Sequence, residues 1–546
     1  LELLDAGGEW FYMEHPMRVS RTRVAARGGA ASVASAPSHT SEIKRRATCA
    51  LRAGEWELRA AHGALLLTLA TDEGLRVWRV SAWDASGGRL CLEASRRAGG
   101  ERARLEFTPR ASASAERAEL SAARLAACER LAALVCAHLP DARVEDVRVS
   151  RGARRGEPGR DARVLLGRVR VRVALTGPLV ALAPQEADDL IASSLAWLAR
   201  LADNTKDTRP LRLRLVVPPA LTDATAERLA LLRDSLRRSI DLDELDEARQ
   251  TLAPVPLPEL DELLSRPPRF RAPHDAPLSP STEDIIALAP EAIDAVRSRR
   301  GETLRFRGLP FARVRTWLGR EHVWFGVDVA RTQRRPDESV TREAGRGQRP
   351  APFGSPRRQL LDEHSREQFF KLLSELDEYR RADTPNTRHA FYRAAPEAWL
   401  ESLLRRDITR LDPYLRLAPL HAQFRTSGAG RPVDLLALRR DGRLVVVELK
   451  TAPAAALPLQ AADYWRRVEA QRLCGALRRA RLFGDAEIQN EPPLVYLAAP
   501  LLSFHRHLAQ LARALTPRLE LYRFDLNEDW RSGVRVARRG DLTGSV

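Results

Sequence analysis

The chain has 546 residues, of which 44% are hydrophobic and 29% are charged, a composition that is typical of soluble globular proteins and predicts roughly three domains. The sequence has no apolar run of about 18 residues or more, which argues against a transmembrane helix and a membrane partner. The net charge of +17 favours a polyanionic partner, with nucleic acid first, although an Arg-rich composition also accompanies a GC-rich genome.

The cysteines and the first residues indicate a cellular compartment. Five cysteines are present, and none of them forms a CxxC pair, which disfavours a disulfide scaffold or a zinc ribbon. They are Cys49, Cys91, Cys128, Cys136 and Cys474. The opening stretch "LELLDAGGEWFY" is acidic and aromatic, unlike a signal peptide. We therefore expect a cytoplasmic protein.

The first half of the chain contains a β-rich region and an α/β region. Residues 1–110 are predicted to be β-rich, because runs such as "LRVWRVSAW" are separated by Gly, Asp and Ser turns. A long amphipathic helix is expected over 114–140, where Pro140 stops it. Strand and helix patterns then alternate, so that 111–250 is predicted to be an α/β domain.

Four further regions complete the chain. Residues 251–283 are rich in proline and are predicted to be a linker or an ordered wrap. A small α/β unit is expected at 284–330. The region 331–386 is predicted to contain a loop over 331–358, rich in Arg, Gly and Pro, and then a helix. The loop is either a phosphate clamp or a solvated linker. Residues 387–546 alternate helices and strands, which predicts a mixed sheet covered by helices.

The strongest chemical signal is "GRPVDLLALRRDGRLVVVELKTAPAAALPLQAADYW", from Gly430 to Trp465. Asp434 precedes one apolar strand, while Glu448 and Lys450 end the next strand and therefore project from one face. Carboxylate oxygens are the ligands that Mg²⁺ prefers, so Asp434 and Glu448 are candidates to hold Mg²⁺ or Mn²⁺. Only four of the 89 basic residues are lysines, which suggests that Lys450 is there for its compact, titratable ammonium.

The turn between these two strands decides whether the carboxylates meet. A two-residue turn, Asp441–Gly442, would pair Asp434 with Leu449 and place Asp434 on the wrong face. A three-residue loop that begins one residue earlier, with Gly442 left-handed, pairs Asp434 with Glu448 instead. We predict the second arrangement, or a bulge with the same effect, because the chemistry requires it.

This pattern resembles the PD-(D/E)XK, or restriction-endonuclease-like, nuclease superfamily, and in particular its NucS-type and RecB-type domains. The matching motifs are "PVD" at 432–434 and "ELK" at 448–450, with one residue between the proline and the aspartate. The resemblance is confined to the C-terminal domain and implies an αβββαβ core. It also implies that Asp434, Glu448 and the backbone carbonyl of Leu449 hold the metal, while Lys450 orients or activates the attacking water.

The resemblance further implies supporting residues on the two neighbouring helices. In "LQAADYW", Gln460 and Tyr464 match a QxxxY element, in which the glutamine helps to organise the active site and DNA; Tyr464 is equally well explained by packing. In the preceding helix, "EAWLESLLRRDI", Glu401 is the candidate for a metal-proximal carboxylate and Glu397 is the second choice. A solvated position on an amphipathic helix is the alternative for both glutamates.

These observations predict a Mg²⁺-dependent nuclease that hydrolyses phosphodiester bonds, with DNA as the preferred substrate and repair or defence as roles by analogy. One alternative is an inert nuclease-fold scaffold that binds nucleic acid. It would show Lys450 pointing to solvent, or carboxylates too far apart to share one ion. The other alternative is a structural or interaction protein that is basic only through genome composition.

Residues 115–250 resemble the C-terminal module in the order of their elements. With an offset of 274 residues, three pairs of positions align: Ala174 with Glu448, Thr176 with Lys450, and Glu186 with Gln460. We hypothesise a degenerate second nuclease-like copy that lost its acid and its lysine, so that the chain is a pseudo-dimer, or pairs as a homodimer, on DNA. The shared logic of α/β folds is the alternative explanation.

Three weaker signals favour unremarkable interpretations. The Gly-rich "SGAG" at 427–430 precedes a strand, so it does not have the strand-to-helix position of a phosphate cradle. His505 and His507 are expected on a surface rather than as metal ligands. The acidic stretch 241–248 is expected to be solvated.

Overall fold

The computed structural model describes residues 2–4, 10–12, 17–24, 46–51, 56–61, 64–71, 74–86, 89–95, 102–109, 113–139, 141–152, 158–203, 207–268, 277–298, 301–327, 359–417 and 434–543. The predicted Arg-rich loop 331–358 and the Gly-rich stretch 427–430 lie outside these ranges, as does Pro432. The chain divides into two compact units, of which the first includes residues 1–120. None of the helices in the described ranges is long and apolar enough to cross a membrane.

The first unit is built from strands. They are β1 (Glu2–Leu4), β2 (Trp10–Tyr12), β3 (Met17–Val24), β4 (Arg46–Leu51), β5 (Trp56–Ala61), β6 (Ala64–Thr71), β7 (Gly74–Ser86), β8 (Arg89–Ser95) and β9 (Arg102–Pro109). Strands β1 and β2 pair with each other, and the remaining seven form one antiparallel sheet in the order β4-β3-β9-β8-β7-β6-β5. Apolar side chains such as Leu92 and Leu105 are buried in this sheet, as the period-2 pattern predicts.

An α/β half follows, and its first helix begins in the first unit, which includes Leu120, and continues into the second. Its elements are α1 (Ala113–His138), β10 (Arg143–Arg151), β11 (Pro158–Gly167), β12 (Arg172–Thr176), α2 (Ala187–Asp203), β13 (Leu211–Val217), α3 (Pro219–Leu229), α4 (Asp234–Arg237), β14 (Ile240–Asp246) and β15 (Thr251–Pro254). Its six strands form one sheet in sequence order, from β10 to β15. The central strands β12, β13 and β14 are parallel to one another, and the flanking pairs are antiparallel.

A small α/β region connects the two halves of the second unit. It contains α5 (Leu260–Ser265), α6 (Pro280–Ala287), β16 (Ile293–Ser298), β17 (Gly301–Phe306), β18 (Leu309–Trp317), β19 (Arg320–Phe325), β20 (Gln359–Leu360), α7 (Arg366–Tyr379) and α8 (Ala390–Arg393). Strands β16 to β20 form an antiparallel sheet in sequence order. The buried guanidinium of Arg380 donates to the carbonyl oxygens of Phe306 and Ala394, and it therefore ties this sheet to the segment that leads into the last half.

The C-terminal half contains α9 (Pro396–Arg406), β21 (Leu415–Leu417), β22 (Leu435–Arg439), β23 (Leu444–Leu449), α10 (Leu457–Leu473), α11 (Ala476–Arg479), β24 (Leu494–Pro500), α12 (Leu508–Ala514), β25 (Glu520–Leu526) and β26 (Val536–Asp541). The apolar pattern of residues 458–480 predicts one helix, but the structure divides it into α10 and α11, because Gly475 takes a left-handed φ of 72°. The Pro-rich region is ordered where it is described, since α5 packs against α10.

The two six-stranded sheets have the same topology. Strands β21 to β26 also lie in sequence order, with β23, β24 and β25 parallel and the flanking pairs antiparallel. In each half, a helix precedes the first strand and another connects the third strand to the fourth. A common origin as two nuclease-like copies stays a prediction.

The two halves also share a hydrophobic core. Leu195 of α2, Leu215 of β13, Trp465 of α10 and Val495 of β24 belong to one cluster of buried residues. The outer face of the first sheet packs against α1, and that of the last sheet packs against α9. Helices α2 and α10 therefore lie on the inner faces of their sheets, between the two halves.

The contact between the halves is reciprocal. Leu232 and Leu515 form an antiparallel bridge, and each lies 15 residues after the last residue of its own strand, β13 or β24. The amide of Arg233 donates to the carbonyl of Ala514 at 2.9 Å, and that of Thr516 donates to Leu231 at 2.8 Å. Contacts that exchange equivalent residues in this way are those of a two-fold interface.

Candidate active site

The hairpin between β22 and β23 has the register that the sequence predicts. Leu435 pairs with Val447, so that Asp434, one residue earlier, lies opposite Glu448. Gly442 has a left-handed φ of 84°, and a Cβ at this position would lie 2.7 Å from the carbonyl oxygen of Glu487. The three-residue loop predicted from the sequence is therefore confirmed, and it places both carboxylates on the same face of the sheet.

Asp434, Glu448 and Lys450 meet at the end of β23. The Lys450 Nζ donates to Glu448 Oε1 at 2.6 Å and to the Leu449 carbonyl oxygen at 3.1 Å. The Leu449 amide donates to Asp434 Oδ2 at 2.9 Å. Glu448 is 1% exposed and Lys450 is 8% exposed, so the charged groups lie in the protein rather than at a solvated strand end.

The negative charge of this cluster is only partly compensated. Burial raises the pKa of Asp434 well above its ordinary value, and the negative charge of Glu448 raises it further, while Lys450 opposes both. Burial lowers the pKa of Lys450, but the carboxylates of Glu448, Glu397 and Asp434 outweigh burial and raise it overall. These carboxylates therefore hold the ammonium in its charged form.

Helix α9 brings a second carboxylate pair towards this cluster. The charge of Glu401 raises the pKa of Asp434, and that of Glu397 raises the pKa of Lys450, so both predicted glutamates lie near the site. Glu401 Oε1 accepts from Arg405 Nε at 2.6 Å and from Arg305 Nη1 at 3.4 Å. Because two guanidinium groups already neutralise Glu401, Glu397 is the better placed of the two to balance Lys450.

Arg405 and Arg305 were not anticipated from the sequence. Arg405 Nη2 also donates to the Asp434 carbonyl oxygen, at 3.4 Å. The spacing of four residues between Glu401 and Arg405 on a helix could have signalled this pair. Arg305 comes from β17, almost a hundred residues earlier, and its buried pairing with Asp294 and Glu401 carries no local signal.

Gln460 and Tyr464 lie on α10, which packs against β23. The Gln460 Nε2 donates to the Tyr464 hydroxyl at 3.3 Å, so the QxxxY pair is joined side chain to side chain. Both residues are buried, and Tyr464 belongs to the core between the two halves. Gln460 therefore lies on the helix that covers the site, and its contact with Lys450 or DNA stays a prediction.

The oxygen groups fit a hard divalent cation. Asp434, Glu448 and the Leu449 carbonyl supply carboxylate and carbonyl oxygens, which is the donor set that Mg²⁺ prefers. The raised pKa of Asp434 means that a cation here would relieve repulsion between two carboxylates. In the described part of the chain no group of three or more His, Cys, Asp and Glu side chains converges as for a metal cage, so water and phosphate would complete the coordination.

Two weaker candidates have structural roles. Asp241 and Asp243 lie on β14 and form ion pairs with Arg212 and Arg214 of β13. The side chain of Asp241 is 41% exposed, so the expectation of a solvated acidic stretch is wrong for Asp243 but not for Asp241. Asp243 is 1% exposed. His507 Nδ1 lies 3.0 Å from Gln510 Oε1, a local contact within the first turn of α12.

Comparison of the chain with protein-family models, with curated proteins and with solved structures gave no match. The geometry of Asp434, Glu448 and Lys450 is therefore the basis on which a function is proposed below.

Proposed function

We propose that the C-terminal half is a metal-dependent nuclease that hydrolyses phosphodiester bonds, with DNA as the preferred substrate. The observation that carries this proposal is the meeting of Asp434, Glu448 and Lys450 at the buried end of β23. Two partly compensated carboxylates beside a charged ammonium are costly to bury, and a protein that needed only a stable sheet would gain by replacing them with apolar residues. The net charge of +17 supports a polyanionic substrate.

In this proposal Asp434, Glu448 and the Leu449 carbonyl would hold Mg²⁺ or Mn²⁺. A bound divalent ion would supply positive charge against the phosphate and a more acidic water. Lys450 keeps its proton and orients the attacking water or stabilises charge on the phosphate. Arg405, which bonds both Glu401 and the Asp434 backbone, fixes the position of α9 against the strand that carries Asp434.

The second candidate is an inert scaffold that binds nucleic acid. It is favoured by the position of the Lys450 ammonium, which occupies the Glu448 and Leu449 oxygens that a metal would use. The scaffold alternative predicts that Lys450 points to solvent, however, and Lys450 is buried. The two candidates differ in whether the metal displaces the ammonium from these oxygens.

The test is incubation of the full chain with labelled single- and double-stranded DNA in Mg²⁺, Mn²⁺ or EDTA, beside Asp434→Asn and Lys450→Ala. We expect metal-dependent cleavage that each variant reduces by roughly 10²–10³-fold. Thr176→Ala, at the aligned position of the first half, is the matched control and should cleave like the wild type. Binding without cleavage in every metal would overturn the nuclease and leave the scaffold.

A further inference from the structure

The β18–β19 hairpin ends in an exposed apolar tip. Trp317 ends β18 and Leu318 opens the turn, and these two residues are 66% and 83% exposed. Trp317 pairs with Arg320, so the turn contains only Leu318 and Gly319, which have left-handed φ angles of 50° and 74°. Asn and Gly are the usual residues in such a turn, and a bulky side chain is disfavoured there. Neither burial nor turn geometry therefore accounts for a leucine beside the exposed tryptophan.

One face of this hairpin carries alternating aromatic and basic side chains. Because side chains alternate along a strand, every second residue points away from the core that α6 and α7 cover. His322 lies between two tryptophan rings, with its ring centroid 6.1 Å from that of Trp317 and 5.8 Å from that of Trp324. Arg315 lies over the Trp324 ring at 5.9 Å. The residues of this outer face are Arg313, Arg315 and Trp317 of β18 and Arg320, His322 and Trp324 of β19.

The outer face of the hairpin carries no carboxylate. The one acidic residue of β18 and β19 is Glu321, which points to the opposite side and accepts from the backbone amide of Ser281 in α6 at 2.9 Å. Arg315 and Arg320 are exposed, and neither forms an ion pair with a residue in the described ranges. Their guanidinium groups therefore remain open to an anion, beside a tryptophan ring that is two-thirds exposed.

The outer face leads towards the carboxylate cluster. Arg305 of β17 points away from the core of this sheet, because both of its neighbours in sequence are buried in that core. Its guanidinium donates to Glu401 Oε1 at 3.4 Å, and the charge of Glu401 raises the pKa of Asp434. Arg305 pairs with Pro310, which lies about 20 Å along β18 from Trp317. A chain that follows the outer face of β18 from the tip therefore arrives beside the cluster.

We propose that the outer face of the β18–β19 hairpin binds a single nucleic-acid strand, with a base stacked on Trp317 and the flanking phosphates against Arg315 and Arg320. Every base has a face that can stack on an exposed ring, and guanidinium groups supply the affinity for phosphate. The hairpin would thus hold the strand on its way to the carboxylate cluster. The inference rests on the proposed nuclease function for its choice of nucleic acid over other polyanions.

The experiment is fluorescence anisotropy of a fluorescein-labelled oligothymidylate with the full chain in EDTA, over a series of salt concentrations. The variants are Trp317→Ala, Arg315→Ala and Arg320→Ala. Two exposed residues supply the matched controls: Thr316→Ala lies on the other side of β18, and Arg388→Ala removes an arginine outside this sheet.

The two kinds of variant should differ in their response to salt. We expect Trp317→Ala to weaken binding by roughly 5–100-fold at every salt concentration, because it removes a stacking contact and no charge. Trp317→Phe keeps a ring and should recover most of the affinity. Each hairpin arginine variant should lower the slope of log affinity against log salt by about 0.7, since one phosphate contact is lost. Both controls should bind like the wild type.

Wild-type affinity and salt dependence in all three hairpin variants would overturn the proposal. Self-association of the wild type that Trp317→Ala abolishes, with DNA binding unchanged, would also overturn it, because the tip would then contact a second copy of the chain. Binding is measured in EDTA, where cleavage is not required, so the two proposals fail separately. A chain that binds through the hairpin but cleaves in no metal removes the nuclease, and a chain that cleaves with unaltered binding in the hairpin variants removes the hairpin.

Discussion

The two α/β halves have the same strand order and orientation, but they carry different residues at the end of the third strand, β12 in the first half and β23 in the second. In the C-terminal half, Asp434 faces Glu448, and Lys450 follows on the same strand. In the first half, the corresponding strands β11 and β12 pair Leu165 with Ala174, and Ala174 belongs to the core between the halves. The comparison shows that this fold accommodates either packed apolar groups or a buried charge cluster at the same strand end.

The first half has its own buried charge close to the aligned site. The Arg163 guanidinium donates to Thr176 Oγ1 at 2.8 Å and to Ser193 Oγ at 2.9 Å, and it lies over the ring of Trp197. Burial lowers the pKa of Arg163 to about 10. A cation hydrogen-bonded to hydroxyl groups therefore lies beside Thr176, the position that aligns with Lys450 in the other half.

The largest effect is expected where the halves touch. Asp463 of α10 is buried and accepts from Arg228 of α3 at 2.8 Å, and it also pairs with Arg466 and Arg467. Asp463→Ala leaves three buried guanidinium groups without this carboxylate, and we expect it to lower the free energy of unfolding by about 3–5 kcal/mol. Urea denaturation measures the change.

Asp261→Ala is the control for this prediction. Its ion pair with Arg518 also joins segments that are far apart in the chain, but both side chains are exposed, so the loss should stay within about 1 kcal/mol. Equal effects of the two substitutions would show that the buried contact between the halves contributes no more than a surface ion pair.

The second prediction separates stability from cleavage in the first half. Arg163→Met keeps an apolar stem and removes the guanidinium, so Thr176, Ser193 and Asp161 lose a buried donor. We expect a loss of about 2–3 kcal/mol in the free energy of unfolding, with cleavage per folded molecule unchanged. A cleavage rate that falls in parallel at temperatures where the variant is fully folded would show that this half takes part in the reaction.

The third prediction is a gain in the free energy of unfolding rather than a loss. Because the pKa of Asp434 is raised in the folded state, the folded chain binds a proton that the unfolded chain releases, and stability falls as the pH rises through the folded pKa. Asp434→Asn removes this cost while keeping the acceptor for the Leu449 amide. We expect it to stabilise the chain in EDTA at neutral pH by about 1–2 kcal/mol, and the gain to disappear in acid.

Differential scanning fluorimetry across pH measures this gain, and Mg²⁺ supplies a second readout. The ion should raise the melting temperature of the wild type but not of Asp434→Asn, because only the wild type offers both carboxylates. A variant that is less stable than the wild type at neutral pH would contradict the idea that Asp434 is kept for function against a cost in stability.

The smallest expected effect is on the acid limb of the cleavage profile. In the proposed reaction cleavage requires ionised Asp434, so the rate should fall about tenfold per pH unit below the pKa of that carboxyl. More Mg²⁺ should move the limb to lower pH, because metal and proton compete for the same oxygens. If the acid limb does not shift with Mg²⁺, the group that titrates in it is not Asp434.

Local patterns in the sequence predicted the hairpin and its register. The "RRDGR" turn, the left-handed Gly442 and the apolar runs on both sides are short-range signals, and together they place Asp434 opposite Glu448. The strands of the first unit and the alternation of strands and helices afterwards are also encoded locally. Helix ends were predicted less well, since a single glycine, Gly475, divides what the periodicity presents as one helix.

Residue types and their spacing along the chain thus determined the elements, the register of the β22–β23 hairpin and the carboxylates and lysine at its open end. Only the tertiary structure decided that Lys450 is buried and charged, that Arg305 and Arg405 neutralise Glu401, and that Arg228 meets Asp463. The physical reason is distance along the chain: a hairpin register depends on a few adjacent residues, whereas buried ion pairs such as Arg228–Asp463 form between segments that only folding brings together.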